Sequence, residues 1–338
     1  MKKLFLGFVM TMTSLTALAA NYVDHPNARA FVNTMVNEHK FDKAYVESVL
    51  AQAQKKQAIL DAIARPAEKT KPWHEYREIF LKSARIEGGV KFWQENAEVL
   101  AKVEQQYGVP AQMIVAIIGV ETRYGNYMGS YRVIDALTTL GFDYPQRGKF
   151  FTRQLEEFLL LIREQQQDPL SLKGSYAGAM GYGQFIPSSY RSFAKDFDGD
   201  GVADIWTNKK DAIASVANYF KAHGWQTGEP VAERATRSAT FPDHLINKTS
   251  RPKTPAIELS TQGFSPIVRK RVSKQPAMAL QFEVLDGNEY WLGYNNFYVI
   301  TRYNRSRLYA LAVYQLSEEI AAAYTRATQS SSTASDRG

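Results

Sequence analysis

Glu121 is the residue of this sequence best placed to do chemistry. It lies near the end of the segment YGVPAQMIVAIIGVETRYG, which reads as a helix with Pro110 in its first turn and Gly125 just past its end. Steps back of three, four and seven residues from Glu121 land on Ile118, Ile117 and Ile114, all on one helix face. The carboxyl therefore extends an apolar stripe instead of facing solvent. Lost hydration penalises the charged form and raises the pKa, which is how a carboxylic acid stays protonated near neutral pH to donate to a glycosidic oxygen. On the helix alone, a glutamate paired with Arg123 or another nearby base accounts for the pattern equally well.

A second cluster of chemistry-bearing residues is the run Asp196-Phe197-Asp198-Gly199-Asp200-Gly201-Val202. It has the alternating oxygen ligands and the sixth-position glycine that open an EF-hand loop, with the Val202 carbonyl as the backbone ligand. Three alternating carboxylates repel each other unless a cation bridges them. Thr207 stands where such a loop carries its closing glutamate. The alternatives are a structural Ca2+ site and a solvated acidic turn.

The elements that must position these residues are mostly helical. Asn27 and Asp42 are placed as helix caps, and Phe41 and Val46 as a hydrophobic staple across the second. Residues 21–89 read as an N-terminal helical region, broken by the polar, proline-punctuated stretch ARPAEKTKP (64–72). Residues 90–226 carry helical periodicity with Gly/Pro turns and read as the core. From 227 to 288 short β-favouring runs such as Ala279–Val284 alternate with Pro, Gly and Ser, marking a small β-rich part near the C-terminal end. Residues 289–325 return to the core, with helical spacing resuming after Ser306, and the polar tail 326–338 is expected to be disordered. The fold class is mainly α, with a minor β component (α+β).

Composition limits the setting. The first twenty residues run from two lysines through an unbroken apolar stretch to Ala17, Ala19 and Ala20, the order of a secretory signal peptide. Without Lys2 and Lys3 the formal charge of +7 falls by two, leaving a mildly basic chain suited to polyanionic wall material. Lys and Arg form no concentrated run with interleaved aromatics, so nucleic acid is not the expected partner. Cysteine is absent, so no disulfide is expected, nor a lipid anchor at a cysteine after the signal. No later stretch is long and apolar enough for a membrane span.

Between Gly174 and Tyr190 the chain reads GSYAGAMGYGQFIPSSY, a backbone packed closely against something, with Ser175 and Gln184 as its polar groups. With the GVETRYG block around Glu121, this segment resembles the lytic transglycosylases of the lysozyme superfamily, specifically the membrane-bound lytic murein transglycosylase B group. The similarity continues through DALTTLGFDYP (135–145), SVANYFKAHGW (215–225) and NNFYVITRYN (295–304), so it spans nearly the whole chain after the signal. Several long blocks in order make a specific match.

The resemblance implies a lysozyme-like helical core with a substrate cleft, an accessory helical part and a small β domain. It implies that Glu121 is the single catalytic acid. It further implies that Ser175 and Gln184 contact substrate, with Tyr219, Tyr298, Tyr303 and Asn304 along the cleft wall. For the acidic loop it implies closure by Asp211, in a loop one residue longer than the family pattern. The implied activity is cleavage of the bond between N-acetylmuramic acid and N-acetylglucosamine in peptidoglycan strands, with closure to a 1,6-anhydromuramoyl end and no organic cofactor. A hydrolytic muramidase on the same fold and a catalytically silent peptidoglycan-binding protein are the alternatives. Asp135 and Asp143 are the available second carboxylates. A periplasmic or secreted location is expected.

Overall fold

The computed structural model describes residues 22–64, 71–268 and 273–335, with side chains to 329. The expected signal peptide at 1–20 and most of the 64–72 loop lie outside the described residues. The helices, in order, are α1 (Ala28–Asn37), α2 (Lys43–Gln52), α3 (Gln57–Ala64), α4 (Trp73–Phe80), α5 (Ser83–Glu95), α6 (Ala97–Tyr107) and α7 (Ala111–Thr122). They continue with α8 (Val133–Asp143), α9 (Gly148–Glu164), α10 (Pro187–Phe193), α11 (Lys209–Ala222), α12 (Ala256–Thr261), α13 (Asn295–Tyr303) and α14 (Arg307–Ser335). Strands β1 (Tyr131–Arg132) and β2 (Lys173–Gly174) form an antiparallel pair. The remaining strands, β3 (Ala232–Arg237), β4 (Thr254–Pro255), β5 (Phe264–Pro266), β6 (Pro276–Val284) and β7 (Gly287–Gly293), form an antiparallel sheet in the order β4-β6-β7-β3-β5.

Helix α7 is the axis of the larger core. Every residue from Ala111 to Gly119 except Gln112 is buried, because α5, α6, α11 and α14 surround it. The expected one-sided stripe is thus an all-round apolar surface, the pattern of a central helix. Fully burying an Ile or Val is worth about 1.5–3 kcal/mol relative to exposure, so this helix alone anchors its four neighbours strongly. Pro110 sits at the N-cap, one position earlier than the sequence suggests.

A second cluster is built around α8 and α9, and α1, α2 and α3 pack onto it. Helices α4 and α5 join the α7 cluster instead. The stretch 21–89 therefore contributes residues to both hydrophobic clusters. Asp42 caps α2 as expected, its carboxylate accepting from Tyr45 N at 2.8 Å, and Phe41 and Val46 are buried in the same cluster. Asn27 makes no capping bond; its amide donates to the Phe142 carbonyl and ties α1 to the end of α8.

Alternation decides how the large sheet is covered. Met278, Leu280, Phe282 and Trp291 face the α7 core. Ala277, Ala279 and Leu292 face a small core completed by Phe241, Leu259 and Phe264. Strand material extends to Gly293, past the expected boundary at 288. Helix α14 runs on to Ser335 where a disordered tail from 326 was expected. Among the described residues no helix is long and apolar enough to cross a membrane.

Candidate active site

Glu121 lies in the last turn of α7, where the chain stops being helical through three left-handed residues, Arg123 (φ 50°), Tyr124 (φ 61°) and Gly125 (φ 91°). Such backbone is costly for the two non-glycine residues, so the surroundings must hold it. The Thr122 hydroxyl sits 3.1 Å from the Ile118 carbonyl and 3.0 Å from that of Tyr182, and it accepts from Gly125 N at 3.0 Å. Tyr124 donates its hydroxyl to the Arg85 carbonyl at 2.6 Å, and Arg85 Nη1 donates to the Gly119 carbonyl at 2.6 Å. The Tyr124 side chain needs three glycines: a Cβ at Gly88, Gly89 or Gly119 would come within 2.9, 2.8 or 2.5 Å of its ring or hydroxyl. Arg123 places its guanidinium over the Tyr127 ring, 4.6 Å from the centroid.

The partner of the Glu121 carboxyl comes from the other end of the chain. Tyr309, in the first turn of α14 and buried, donates its hydroxyl to Glu121 Oε1 at 2.5 Å. Burial, then the nearby Glu121 charge, holds the Tyr309 phenol well above its ordinary pKa, so it stays a proton donor at any physiological pH. A hydrogen bond to a carboxylate favours its charged form, which opposes the desolvation expected from the apolar helix. Sequence reasoning missed Tyr309. The available signal was a tyrosine hydroxyl on the apolar face of a helix, which has to find a partner inside the fold.

Ser175 and Gln184 line one groove with Tyr127, Met128 and Tyr176. The Ser175 oxygen accepts from Ala177 N at 3.3 Å and Ala179 N at 3.1 Å. Its lone pairs are thereby occupied and its proton remains to be donated to a ligand. Gln184, at φ 49°, spends both amide protons on the carbonyls of Met128 (3.2 Å) and Gly181 (3.0 Å), leaving Oε1 as an acceptor in the groove. Two glycines after α7 fit closely against this segment: a Cβ on Gly125 would lie 2.3 Å from the Tyr182 ring, and one on Gly129 2.0 Å from the Gly174 carbonyl.

The tyrosines expected on the cleft wall divide. Tyr219 is buried, donates to the Arg302 carbonyl at 2.6 Å and stacks on His223 with centroids 4.1 Å apart. Tyr303 donates to the Gly183 carbonyl at 2.6 Å, beside Gln184. Both hydroxyls are committed to backbone, and the two rings pack against Phe185 and each other. Tyr298 lies elsewhere, under Arg251 in a separate cavity. Asn304 follows Tyr303 as the C-cap of α13. Neither rival carboxylate belongs to the site. Asp135 is gripped by Arg132 and accepts from Gln54 N, and Asp143 accepts from Tyr22 and Lys55, each at 2.7 Å. Both fasten the α2–α3 layer and the N-terminal segment to α8.

Residues 24–318 match the transglycosylase SLT domain. This chain belongs to the transglycosylase SLT family. Over 328 residues it is 44% identical to the membrane-bound lytic murein transglycosylase B of Escherichia coli strain K12, covering 94% of this chain and 89% of that one. The catenated lytic transglycosylase SltB1 of Pseudomonas aeruginosa superposes with a TM-score of 0.85 at 52% identity, over 90% of this chain and 100% of that one. The Escherichia coli lytic transglycosylase Slt35 in complex with calcium superposes with a TM-score of 0.79 at 43% identity, over 89% and 95% of the respective chains. The lysozyme-like helical fold expected from the sequence is the fold of these structures.

In this member of the SLT family the acidic loop brings three of the expected ligands together. Asp196, Asp198 and Asp211 each offer a carboxylate oxygen within 4.8 Å of the others, a spacing and donor set that fit a hard cation. Burial raises the Asp211 pKa, and the charges of Asp198 and Asp196 add to it. Asp211 still accepts from Phe197 N and Asp204 N, clamping both sides of the loop. Asp200 and Val202 are not part of the triad. The Asp200 carboxylate accepts from Val202 N, and the Val202 carbonyl accepts from Asp204 N. Each of these bonds lies within the loop's own turns and leaves a second carboxylate oxygen on Asp200 and a second lone pair on the Val202 carbonyl.

Proposed function

We infer that this chain is a lytic transglycosylase that cleaves the β-1,4 bond between N-acetylmuramic acid and N-acetylglucosamine in peptidoglycan and leaves 1,6-anhydromuramoyl ends. The observation that carries the reading is the Glu121 carboxyl held by Tyr309, with Tyr303, whose phenol feels the Glu121 charge, bonded to the Gly183 carbonyl next to Gln184. Asp135 and Asp143, the rivals for a second catalytic carboxylate, are both consumed in structural bonds.

In the first step Glu121 protonates the glycosidic oxygen, and the bond from that oxygen to the anomeric carbon breaks. The substrate's acetamido group supports the positive centre. Glu121, now a carboxylate, takes the proton from the muramoyl C6 hydroxyl, whose oxygen closes on the anomeric carbon. The proton count balances with no water consumed, and one carboxyl serves as acid and then as base. Tyr309 acts as a positioning residue: its hydrogen bond fixes the carboxyl and stabilises the charged state formed between the two steps.

Two further parts of the reading concern metal and location. Asp196, Asp198 and Asp211 would hold a Ca2+ that cross-braces the loop before α11, away from the reacting atoms. Residues 1–20 would direct export, placing the enzyme in the periplasm with its substrate. Mass spectrometry of purified murein after digestion tests the activity. Anhydro ends are expected; reducing ends, heavier by one water, would make the chain a hydrolase, and no cleavage would leave a binding protein.

A further inference from the structure

Beside the cleft wall lies a cavity of about 460 Å³ whose lining is cationic. Tyr298, Thr301 and Arg302 reach it from one face of α13, at spacings of three and four residues. Arg305 and Arg307 enter from the turn into α14, and Arg251 from the loop opposite. Among the described residues no Asp or Glu is part of the lining. Arg251 rests over the Tyr298 ring, 4.9 Å from its centroid, and Arg307 Nη2 donates to the Asn247 carbonyl at 2.7 Å. Among the described residues the guanidinium groups of Arg302 and Arg305 have no hydrogen-bond or ion-pair partner. Four like charges around one cavity repel, and among the described residues no carboxylate lines it to offset them. Guanidinium forks match carboxylates in pairs, so the arrangement suits a ligand carrying several.

The cavity adjoins the proposed site through covalent neighbours. The Arg302 carbonyl accepts the Tyr219 hydroxyl, and Tyr303, bonded to the Gly183 carbonyl beside Gln184, is the next residue. Tyr309, which holds Glu121, follows Arg307 by two positions on α14. The charges of Arg302 and Arg305 are felt at the Tyr219 hydroxyl.

We propose that this cavity is a subsite for the carboxylates of peptides attached to the glycan strand. The proposal rests on the transglycosylase reading, in which the substrate carries short acidic peptides on its muramoyl residues. The aliphatic parts of such a peptide would lie on Phe297, Met278 and the Tyr298 ring, which complete the lining.

The test compares murein strands bearing peptides with strands stripped of them by an amidase, using wild type, the Arg302→Gln/Arg305→Gln double variant and the Arg302→Lys/Arg305→Lys double variant. For wild type the KM on stripped strands should exceed that on peptide-bearing strands by on the order of tenfold. The glutamine variant should lose this difference with kcat unchanged on both substrates, and the lysine variant should recover part of it. Equal loss on both substrates, or an unchanged ratio, overturns the subsite. A free tetrapeptide, L-Ala-γ-D-Glu-meso-diaminopimelyl-D-Ala, titrated calorimetrically into the same proteins, gives an answer independent of turnover. Binding by wild type and not by the glutamine variant supports the subsite even if anhydro products are never formed, which would sink only the activity. Inorganic phosphate binding as tightly as the peptide would reduce the cavity to a general anion site and overturn the proposal.

Discussion

Tyr309 donates its hydroxyl to Glu121 Oε1 at 2.5 Å across 188 positions of the sequence. The bond joins α14 to the end of α7, so the geometry of the proposed acid depends on how the last helix docks. Tyr309→Phe keeps the ring and its packing and removes only the donor. We expect kcat for murein cleavage to fall about tenfold or more. Removing a donor to the charged carboxylate should also move the pH–rate profile toward higher pH. A change in KM alone, with kcat and the profile intact, would contradict a positioning role.

Glu121→Gln preserves shape while removing the transferable proton. Cleavage should drop by at least about a hundredfold with melting temperature little changed. Turnover near the wild-type level in a folded variant would remove Glu121 from its role.

Gly119 tests the support beneath the site. In an exposed helix interior Gly→Ala stabilises by about 1 kcal/mol, but here the new methyl would sit 2.5 Å from the Tyr124 hydroxyl. Overpacking costs of about 1–3 kcal/mol should win. Gly119→Ala is expected to lower the denaturation midpoint and to slow cleavage, because Tyr124 shapes the turn that follows Glu121. A stabilised, fully active variant would show that the cradle yields easily.

Asp143 should make stability depend on acid pH. Burial alone would raise its pKa, but the hydrogen bonds and charge of Lys55, with the Tyr22 hydroxyl, outweigh it and hold the carboxyl below its ordinary value. A depressed folded-state pKa contributes stability that is full above the unfolded value, about 3.9, and is lost as pH falls through the folded one. Asp143→Asn should therefore cost about 1–2 kcal/mol at pH 7, and the difference from wild type should shrink below about pH 4. Urea denaturation at both pH values reads this directly, and a pH-independent difference would contradict it.

Calcium should raise the melting temperature of wild type without being required for the chemical step. At a hundredfold excess over Kd the stabilisation is about 2.7 kcal/mol. Asp196→Ala/Asp198→Ala should abolish the response, whereas Asp200→Ala should retain most of it, because Asp200 bonds within its own turn. Equal losses in both variants would show that the loop rearranges around the metal.

Local rules in the sequence determined a good deal. The Asp42 cap, the helical periodicity that leads to Glu121 and the β-favouring run at Ala279–Val284 depend on neighbours a few residues away, and they can be read without a fold. Glycine density between Gly174 and Gly183 likewise announced close packing before its partners were known. Tertiary structure alone decided which groups meet. Periodicity reports that a face is buried, not what covers it, so α7 proved apolar all round and residues 21–89 were shared between two cores. The hydroxyls of Tyr219 and Tyr303 could not be assigned from sequence, because a tyrosine in a matched block serves a ligand or a backbone carbonyl equally well until the carbonyl is in place. The same holds for Asp135 and Asp143, whose cations and amides come from elsewhere in the chain. Tyr309 and the four arginines beside Tyr298 are the clearest cases. Their significance rests on contacts between segments far apart in sequence, and only packing of α13 and α14 against the core brings those segments together.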